Sequence, residues 1–316
     1  MIITKTAIAG SGIIGTSWAI VYARAGCDVS IYEYAAERRP NVMERLRIGL
    51  TASASLLAPE DTVEEVLSRV TVHGDLAEAV KDAQLVHECI EEKLESKRAL
   101  FAELDHVAPE RAILATSTSS FPVSHFASEL ACRERCIVIH PATPPHLLPV
   151  TEICPAPFTA DWVNTASTEF MRQCGQAPIQ IKKEVAGFVL NRMQAALLVE
   201  MISLLKEDLV DAKDIDAIIS QGFGLRWAFL GPFEGVDLNA VGGIRQYFEN
   251  FGFLTNDRAT EYGLGKILDD EVIDTLEKYA RSRIPLENLP EKVAWRDQSI
   301  LALRTLKTER GTTDRQ

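Results

Sequence analysis

The sequence predicts an α/β protein, with a doubly wound parallel sheet in its first part and an all-α C-terminal domain in its second. Up to about residue 183, strand-like apolar runs alternate with helical patterns, which is typical of a parallel sheet covered by helices on both faces. After Gly187 only helical patterns remain. We therefore predict two domains, residues 1–184 and residues 185–316.

The first element of the sheet carries a glycine-rich turn. Gly10, Gly12 and Gly15 follow a strand at G-x-G-x-x-G spacing, and Ile13 and Ile14 open the helix that comes next. The three glycines would allow a tight turn, close approach of backbone to a pyrophosphate, and close packing of the helix on the sheet. The spacing predicts a Rossmann-type dinucleotide site in residues 1–184.

An acidic residue at the end of the second strand bears on the choice of dinucleotide. Glu33 lies where a carboxylate can accept the ribose hydroxyls of NAD and repel the 2′-phosphate of NADP. Arg38 and Arg39 follow closely and could contact that phosphate. We expect NAD as the cofactor, with NADP as the alternative.

Composition excludes several other classes. The chain has 316 residues, 47% of them hydrophobic, and a net charge of −12 with no basic cluster, which argues against a nucleic-acid partner. The six cysteines lack metal-ligand spacing, so we expect buried, reduced thiols of a cytoplasmic protein and no metal. Residues 7–23 are apolar, but the glycines among them argue against a membrane segment.

The remaining pattern is assigned in chain order. Helical periodicity over about residues 35–70 indicates a helical insertion after the second strand. We then expect strands at 83–90, 112–116, 136–140, 150–154 and 177–182, and helices at 94–104, 123–130, 161–174, 187–206 and 214–222.

Four polar residues stand out against this pattern. Ser119 follows one predicted strand and His140 ends another, so both would face the ligand crevice at the carboxyl ends of the strands. Glu152 lies on the next strand, within reach of His140, and Asn191 lies in the first turns of the long helix. Taken singly, they could be a helix cap, a core histidine, a solvated acid and a local hydrogen-bonding residue.

Together these residues resemble the L-3-hydroxyacyl-CoA dehydrogenase superfamily, and within it the L-gulonate 3-dehydrogenase (lambda-crystallin) branch. The resemblance covers nearly the whole chain. Its motifs are Gly10-x-Gly12-x-x-Gly15, Thr118-Ser119-Ser120, His140-Pro141-Ala-Thr-Pro-Pro145, Glu152, Gly187-Phe-Val-Leu-Asn-Arg-Met-Gln194, Gly224-Leu-Arg-Trp-Ala-Phe-Leu-Gly-Pro232 and Ala294-Trp-Arg-Asp297.

The resemblance implies hydride transfer between NAD and the 3-position of a hydroxy acid or ester. His140 would take the hydroxyl proton, because the pKa of imidazole lies near the working pH. Glu152 would bond the other ring nitrogen and stabilise the imidazolium. Ser119 and Asn191 would hydrogen-bond the substrate oxygen, where negative charge accumulates.

Further positions follow from the resemblance. Glu92 and Lys97 match the acidic and basic cofactor positions of the family, whereas Lys93 replaces the asparagine that often follows the acid. Thr143 stands in the substrate loop where the family usually has asparagine. We expect this change to alter substrate choice and to leave redox activity intact.

One feature of the insertion weighs mildly against a coenzyme A thioester. Residues 34–80 contain no lysine, whereas the acyl-CoA enzymes that the chain resembles use basic residues there against the CoA phosphates. Arg45, Arg47 and Arg69 could substitute.

A second feature favours a small free acid. Arg226 has no counterpart in the acyl-CoA branch, and a guanidinium can pair bidentately with a carboxylate. Our hypothesis is that Arg226 holds the substrate carboxylate and that Trp227 and Phe229 shape the pocket. A structural or interface arginine is the alternative.

Three functions stay open: a dehydrogenase of a small 3-hydroxy acid such as L-gulonate or L-carnitine, a 3-hydroxyacyl-CoA (3-hydroxybutyryl-CoA) dehydrogenase, and a non-enzymatic crystallin-like role. The intact set of four polar residues favours an enzyme. The resemblance also implies a homodimer through the helical region, whose long helix carries more apolar residues than a small domain needs: Met193, Leu197, Leu198, Ile202 and Leu205.

Overall fold

The structure is a computed structural model that describes residues 2–310. The chain divides between Leu198 and Val199 into two compact units. The first contains an eight-stranded sheet with helices on both faces, and the regular structure of the second is helical throughout its described residues. The predicted fold class is confirmed. We retain 1–184 and 185–316 as a proposal for the functional domains, because the compact units are defined by packing alone.

The first unit holds every strand found in residues 2–310 and the beginning of a long helix. Its elements are β1 Lys5–Ala9, α1 Ile13–Arg24, β2 Asp28–Tyr32, α2 Pro40–Ala52, α3 Val63–Ser68, β3 Val70–His73, α4 Leu76–Val80, β4 Leu85–Glu88, α5 Leu94–Val107, β5 Ile113–Thr116, α6 Ser124–Ala127, β6 Cys136–Pro141, β7 Val150–Pro155, α7 Asp161–Gln173, β8 Ala177–Gln180 and α8 Leu190–Lys206, which continues into the second unit.

The second unit is built from helices of very different length. They are α9 Ala212–Ala217, a π-helical turn Ile218–Phe223, α10 Gly224–Trp227, α11 Pro232–Asp237, α12 Gly243–Glu261, α13 Asp270–Arg283 and α14 Leu289–Glu309. Leu230, Leu238 and Leu289 form its buried cluster.

The strand order is β3-β2-β1-β4-β5-β6-β7-β8. The order reverses between β1 and β4, and at such a point the carboxyl ends of the strands open a crevice for a ligand. One face of the sheet is covered by helices that bury Trp18, Leu46 and Phe170, and the other by helices that bury Phe101 and Phe126. Each large side chain removed from water contributes about 1.5–3 kcal/mol, so both layers stabilise the sheet whose strand ends border the crevice.

The structure corrects three details of the predicted pattern. Residues 70–73, where the pattern predicts no strand, form the edge strand β3 beside β2. Strand β7 runs antiparallel to β6, so the sheet is not wholly parallel. The long helix begins at Leu190 and not at Gly187, because Gly187 and Phe188 both take positive φ, 74° and 51°, and end the preceding turn.

The structure also locates the six cysteines and the apolar residues 7–23. All six cysteines are buried and free, as predicted. Residues 7–23 form β1, the glycine turn and most of α1. No helix within residues 2–310 combines the length and hydropathy needed to span a bilayer. The same residues contain no group of three or more His, Cys, Asp or Glu side chains placed to hold a metal ion.

Candidate active site

The glycine turn joins β1 to α1 at the switch point of the sheet. Gly10 has φ +108°, and a Cβ there would lie 2.7 Å from the carbonyl oxygen of Cys89. A Cβ on Gly15 would lie 1.9 Å from the Gly10 carbonyl oxygen. A Cβ on Gly12 would meet nothing within 4 Å, so this glycine borders open space. The first N–H groups of α1 lack intrahelical partners, and such groups can bind the phosphates of a dinucleotide.

A cavity of about 340 Å³ extends from this turn to the ends of β4 and β5. Ile13 lies on the wall of this cavity, and 78% of its surface is exposed. An exposed apolar side chain in a cavity is typical of a ligand-binding surface. Among the residues that line the cavity are Gly12, Ile13, Ile14, Glu92, Lys97 and Ser119. The structure thus brings together most of the positions predicted for the cofactor.

Glu33 is fixed at the end of β2. Its carboxylate accepts a hydrogen bond from the Ser11 hydroxyl at 2.5 Å and one from the Ala35 backbone N–H at 2.9 Å. The Arg45 guanidinium donates to both the carbonyl and the hydroxyl of Ser11. Arg39 donates to backbone carbonyls, including that of Glu33 at 2.8 Å. The carboxylate therefore keeps one orientation, beside the glycine turn.

Glu92 clamps the loop that follows β5. One carboxylate oxygen accepts the Thr118 hydroxyl at 2.6 Å and the backbone N–H groups of Ser119 and Ser120, each at 2.9 Å. The other carboxylate oxygen lies 3.0 Å from Lys97 Nζ. Partial burial alone would raise the pKa of Glu92, but the Thr118 hydroxyl and the Lys97 ammonium hold this pKa below its usual value.

Lys97 is buried, and carboxylates already surround its ammonium group. Nζ donates to both oxygens of Glu88, at 2.9 and 3.0 Å, besides its contact with Glu92. Burial favours the neutral amine, but the charge of Glu88 outweighs it and raises the pKa of Lys97. All three N–H donors of the ammonium are therefore engaged by protein groups.

His140 and Glu152 form a buried pair. The antiparallel register of β6 and β7 sets the two residues directly opposite each other, and His140 Nδ1 lies 2.8 Å from Glu152 Oε2. The Phe188 ring packs 5.3 Å from the imidazole, centroid to centroid. His140 Nε2 has no hydrogen-bond partner within residues 2–310. The ring is thus held by one nitrogen and leaves the other available.

Glu152 also anchors the start of α8. Its Oε1 accepts the backbone N–H groups of Val189 and Leu190, both at 2.9 Å. Burial favours the protonated acid, but the hydrogen bonds from His140 and from these two N–H groups lower the pKa of Glu152 below its usual value. Glu152 is therefore an anion at neutral pH.

Asn191 completes the chain of contacts. Its amide Nδ2 donates to the backbone carbonyl of Ser119 at 3.1 Å, while the hydroxyl of Ser119 is exposed and has no partner in the described part of the chain. The four predicted polar residues thus belong to one network. It runs from His140 through Glu152 and the start of α8 to Asn191 and Ser119.

The loop between β6 and β7, residues 142–149, carries the exposed Thr143 directly after the His140 strand. His146 of the same loop lies with Nδ1 2.9 Å from the hydroxyl of Ser17 on α1. Arg24 of α1 donates to the His146 carbonyl oxygen at 3.4 Å through each of its two terminal nitrogens. The loop that holds Thr143 is therefore tied to the helix that begins at the glycine turn.

Arg226 lies in the second unit, on α10. Its guanidinium carbon is 5.6 Å from the centre of the Phe223 ring, and its buried Nε has no hydrogen-bond partner among residues 2–310. Trp227 stacks on Phe223 with ring centres 4.9 Å apart, whereas Phe229 packs edge-on against Trp295. Of the two aromatic residues expected beside Arg226, Phe229 is thus engaged elsewhere.

Sequence reasoning missed the polar residues that support the predicted ones. Thr118 accepts the backbone N–H of Phe121 and donates to Glu92, and Ser11 donates to Glu33. Thr118 stands in a run of hydroxyl residues directly after a strand, and this sequence pattern could have identified it as a site residue. Ser11 occupies a variable position of the glycine motif, and nothing in the pattern distinguishes it.

An open crevice at the switch point, a glycine turn and a histidine–carboxylate pair define the class of dinucleotide-dependent oxidoreductases. The profile of the 3-hydroxyacyl-CoA dehydrogenase NAD binding domain matches residues 5–185, and that of the C-terminal domain matches residues 187–269. The chain belongs to the 3-hydroxyacyl-CoA dehydrogenase family. It is an NAD-dependent dehydrogenase that acts on CH–OH groups.

Individual relatives narrow this assignment. The human lambda-crystallin homolog is 36% identical over 315 residues and spans 96% of both chains. L-carnitine dehydrogenase of Streptomyces griseus is 34% identical over 95% of this chain and 88% of its own. The solved structure of Escherichia coli 3-hydroxybutyryl-CoA dehydrogenase is similar over 80% of this chain and 53% of its own, with 28% identity and a TM-score of 0.66. The resemblance to the lambda-crystallin branch is confirmed.

Proposed function

We propose that the protein oxidises the 3-hydroxyl of a small free hydroxy acid, L-gulonate or a similar compound, to the 3-keto acid. The observation that carries the proposal is the buried pair of His140 and Glu152, with its bond of 2.8 Å and its free imidazole nitrogen. Such a pair performs proton transfer at an alcohol when a hydride acceptor is bound nearby. The residues at the glycine turn fit NAD, which accepts the hydride when it is bound.

His140 is the general base in this mechanism. Its Nδ1–H donates to Glu152, a tautomer that we assign from the hydrogen-bond network, and Nε2 then accepts the proton of the substrate hydroxyl. The C–H electron pair leaves with its hydrogen as hydride, and the O–H pair becomes the second bond of the ketone. Glu152 stabilises the imidazolium that results. In the reverse direction the same nitrogen returns the proton.

Ser119 and Asn191 hold the substrate oxygen. Asn191 is fixed by its bond to the Ser119 carbonyl, so the Ser119 hydroxyl and the Asn191 side chain form one rigid edge. Hydrogen bonds from this edge would stabilise the charge that develops on oxygen. Thr143, on the loop after His140, would contact the substrate beside it.

At the cofactor, Gly10, Gly12, Gly15 and the start of α1 would hold the pyrophosphate, and Glu33 would bind the adenosine ribose. All three N–H donors of Lys97 already bond Glu88 and Glu92, which supports an indirect role of Lys97 in cofactor binding. In that role, Lys97 positions Glu92 and the loop that contains Ser119. In this proposal Glu92 contributes to the cofactor site through the backbone that it clamps.

Charge pairing supports a free acid over a CoA thioester. The three arginines named above as possible substitutes for the missing lysines already have partners: Arg45 bonds Ser11, Arg47 pairs with Glu64 and Arg69 pairs with Asp61. Arg226, by contrast, has a buried Nε with no acceptor in the part of the chain that the structure describes. A buried N–H without an acceptor is costly, and a substrate carboxylate would accept a hydrogen bond from it.

Two other substrates have specific support. The similarity to Escherichia coli 3-hydroxybutyryl-CoA dehydrogenase favours a CoA ester, and that to the Streptomyces enzyme favours L-carnitine. A purely structural role, as in lens crystallins, accounts for none of the contacts between His140, Glu152, Asn191 and Ser119.

The test is NADH formation from NAD with L-gulonate, L-carnitine, 3-hydroxybutyrate and 3-hydroxybutyryl-CoA. We expect turnover of a free acid and a loss of at least about a hundredfold in kcat for His140→Ala. The exposed His125 offers a matched control, and His125→Ala should retain activity. Turnover of the CoA ester alone would contradict the proposal, and so would full activity of His140→Ala.

A further inference from the structure

A buried histidine beneath the cavity at the glycine turn is not used by the dehydrogenase mechanism. His87 lies on β4 and is fully buried. Its ring packs against the rings of Trp18 and Tyr22, with centroids 4.9 and 6.1 Å away. Trp18 and Tyr22 are one helical turn apart on α1, so they project from the same face of the helix that begins at the glycine turn. The imidazole is thus enclosed between the sheet and this helix.

Hydrogen bonds link His87 to Ser117, which lies directly after β5 and on the wall of that cavity. Nδ1 of the imidazole lies 2.6 Å from the Tyr22 hydroxyl, and Nε2 lies 2.9 Å from the Ser117 hydroxyl. Trp18 donates from its indole nitrogen to the same Ser117 oxygen at 3.0 Å. Burial lowers the pKa of His87 to about 3, so the ring is neutral at pH 7 and carries a single N–H. Only one of its two nitrogens can therefore donate.

The position of that N–H follows from the Tyr22 hydroxyl. Tyr22 is fully buried, and its hydroxyl has no partner other than His87 among residues 2–310. If Nδ1 carried the proton, the Tyr22 O–H would have no acceptor, which is costly in a buried site. We therefore assign the tautomer in which Tyr22 donates to Nδ1 and Nε2–H donates to Ser117.

The Ser117 hydroxyl is left with a proton to donate. Its two lone pairs accept the N–H groups of His87 and Trp18. In the described part of the chain, the one acceptor that contacts its O–H is Cys89 Sγ at 3.4 Å, and a thiol sulfur accepts weakly. Because Ser117 lines the cavity, an oxygen atom of a ligand bound there can accept this hydrogen bond.

We propose that Ser117 donates a hydrogen bond to the nicotinamide nucleoside of NAD and that His87 is the positioning residue that orients this hydroxyl. The inference rests on the proposed function, in which the glycine turn holds the pyrophosphate and Glu33 binds the adenosine ribose. In the strand order β2-β1-β4-β5, Glu33 follows β2 and Ser117 follows β5, so the two residues lie on opposite sides of the turn after β1. The half of the dinucleotide that reaches Ser117 is therefore the nicotinamide half, whose ribose hydroxyls and carboxamide oxygen are suitable acceptors.

The test compares ligands with and without the nicotinamide nucleoside. Binding of NAD, ADP-ribose and ADP to the full-length protein is measured by calorimetry in the absence of a hydroxy acid. Ser117→Ala should weaken the binding of NAD by about threefold to tenfold, the scale of one hydrogen bond, and should leave that of ADP unchanged. ADP-ribose adds only the second ribose to ADP, so a loss for this ligand assigns the acceptor to a ribose hydroxyl, and no loss assigns it to the carboxamide. Ser120→Ala removes a hydroxyl from an exposed residue of the same loop that does not line the cavity, and should change none of these affinities.

A second measurement tests the orientation in the native protein and does not depend on the folding of Ser117→Ala. The ¹⁵N chemical shifts of selectively labelled histidine report which ring nitrogen carries the proton. We expect His87 to be protonated at Nε2, with and without NAD. Its signals are assigned by the change that Tyr22→Phe, which removes only the partner hydroxyl, causes in them. Protonation at Nδ1 would overturn the inference, because Ser117 would then donate to His87 and not to the cofactor.

The binding data separate this inference from its alternatives. A loss of ADP affinity in Ser117→Ala as large as the loss of NAD affinity would indicate a structural role of Ser117 at the glycine turn and would overturn the inference. An unchanged affinity for NAD in Ser117→Ala would overturn it as well. If Ser117→Ala weakens NAD as expected but the native protein turns over no free hydroxy acid, the proposed function fails while the contact between Ser117 and the cofactor remains.

Discussion

At the scale of single residues, Glu152 links catalysis to the stability of the fold. Its carboxylate bonds His140 on one side and the first N–H groups of α8 on the other. The same anion thus orients the base and fixes a helix end. Because Glu152 has both roles, we expect its ionisation to affect the pH dependence of the free energy of unfolding.

The pKa of Glu152 is lowered in the folded protein from its ordinary value of 4.5. The stability that it contributes is therefore fully present above pH 4.5 and is lost as the pH falls through the lower, folded pKa. We predict that Glu152→Gln destabilises the protein at pH 7 and that this difference shrinks in acid. Urea unfolding of both proteins at neutral and acidic pH measures it. A difference in the free energy of unfolding that does not change with pH would contradict the prediction.

Glu33 governs the choice of cofactor at the same scale. Its carboxylate is held by Ser11 and Ala35 and would repel a 2′-phosphate. We predict that Glu33→Gln narrows the preference for NAD over NADP by about tenfold in kcat/KM, since one charge repulsion is removed. Glu37→Gln changes the same charge at an exposed position nearby and should preserve the preference. An unchanged preference in Glu33→Gln would assign the discrimination to other residues.

At the scale of elements, the position of the loop between β6 and β7 depends on a hydrogen bond of His146. Nδ1 of its imidazole meets Ser17 on α1, and burial followed by the charge of Arg24 lowers the pKa of His146, so the ring is neutral at pH 7. An asparagine side chain reaches as far as Nδ1, whereas a glutamine side chain reaches as far as Nε2. Asparagine in place of His146 can therefore keep the hydrogen bond to Ser17, whereas glutamine cannot keep it in the same geometry.

We predict that His146→Ala and His146→Gln raise KM for the acid by about threefold to tenfold, the scale of one hydrogen bond, with a smaller change in kcat. His146→Asn should restore the native KM, and Ser17→Ala should imitate His146→Ala. Steady-state kinetics of the four variants measure this. If Asn and Gln behave alike, the loop is not positioned by this hydrogen bond.

The elements also show what a sequence can and cannot predict. The glycine turn, the strand that contains His140 and the strand that ends before Ser119 were predictable, because apolar runs and glycines report local structure. The register that opposes His140 to Glu152 depends on β7 running antiparallel, which no local pattern encodes. The pairing of Lys97 with Glu88 is likewise a product of tertiary packing. Residues 70–73 become a strand only because β2 offers an edge.

At the scale of the whole molecule, α8 leaves an apolar surface uncovered. None of its residues is buried, and Met193, Leu197, Leu198, Ile202 and Leu205 are exposed. An uncovered stripe of this kind is typical of an interface, and a stable dimer buries on the order of 1,200–2,000 Å². The surface supports the proposal that the protein is a homodimer through its helical region.

We predict that Ile202→Glu converts the dimer to a monomer, because a carboxylate would have to leave water at the interface. Ile202 is 53% exposed, so the substitution leaves the fold of each chain intact. Gln194→Glu adds the same charge at a polar position of α8 and should weaken the dimer less. Sedimentation velocity over a range of concentrations distinguishes these states. A native protein that sediments as a monomer throughout that range would refute the dimer, and α8 would then require another partner to cover it.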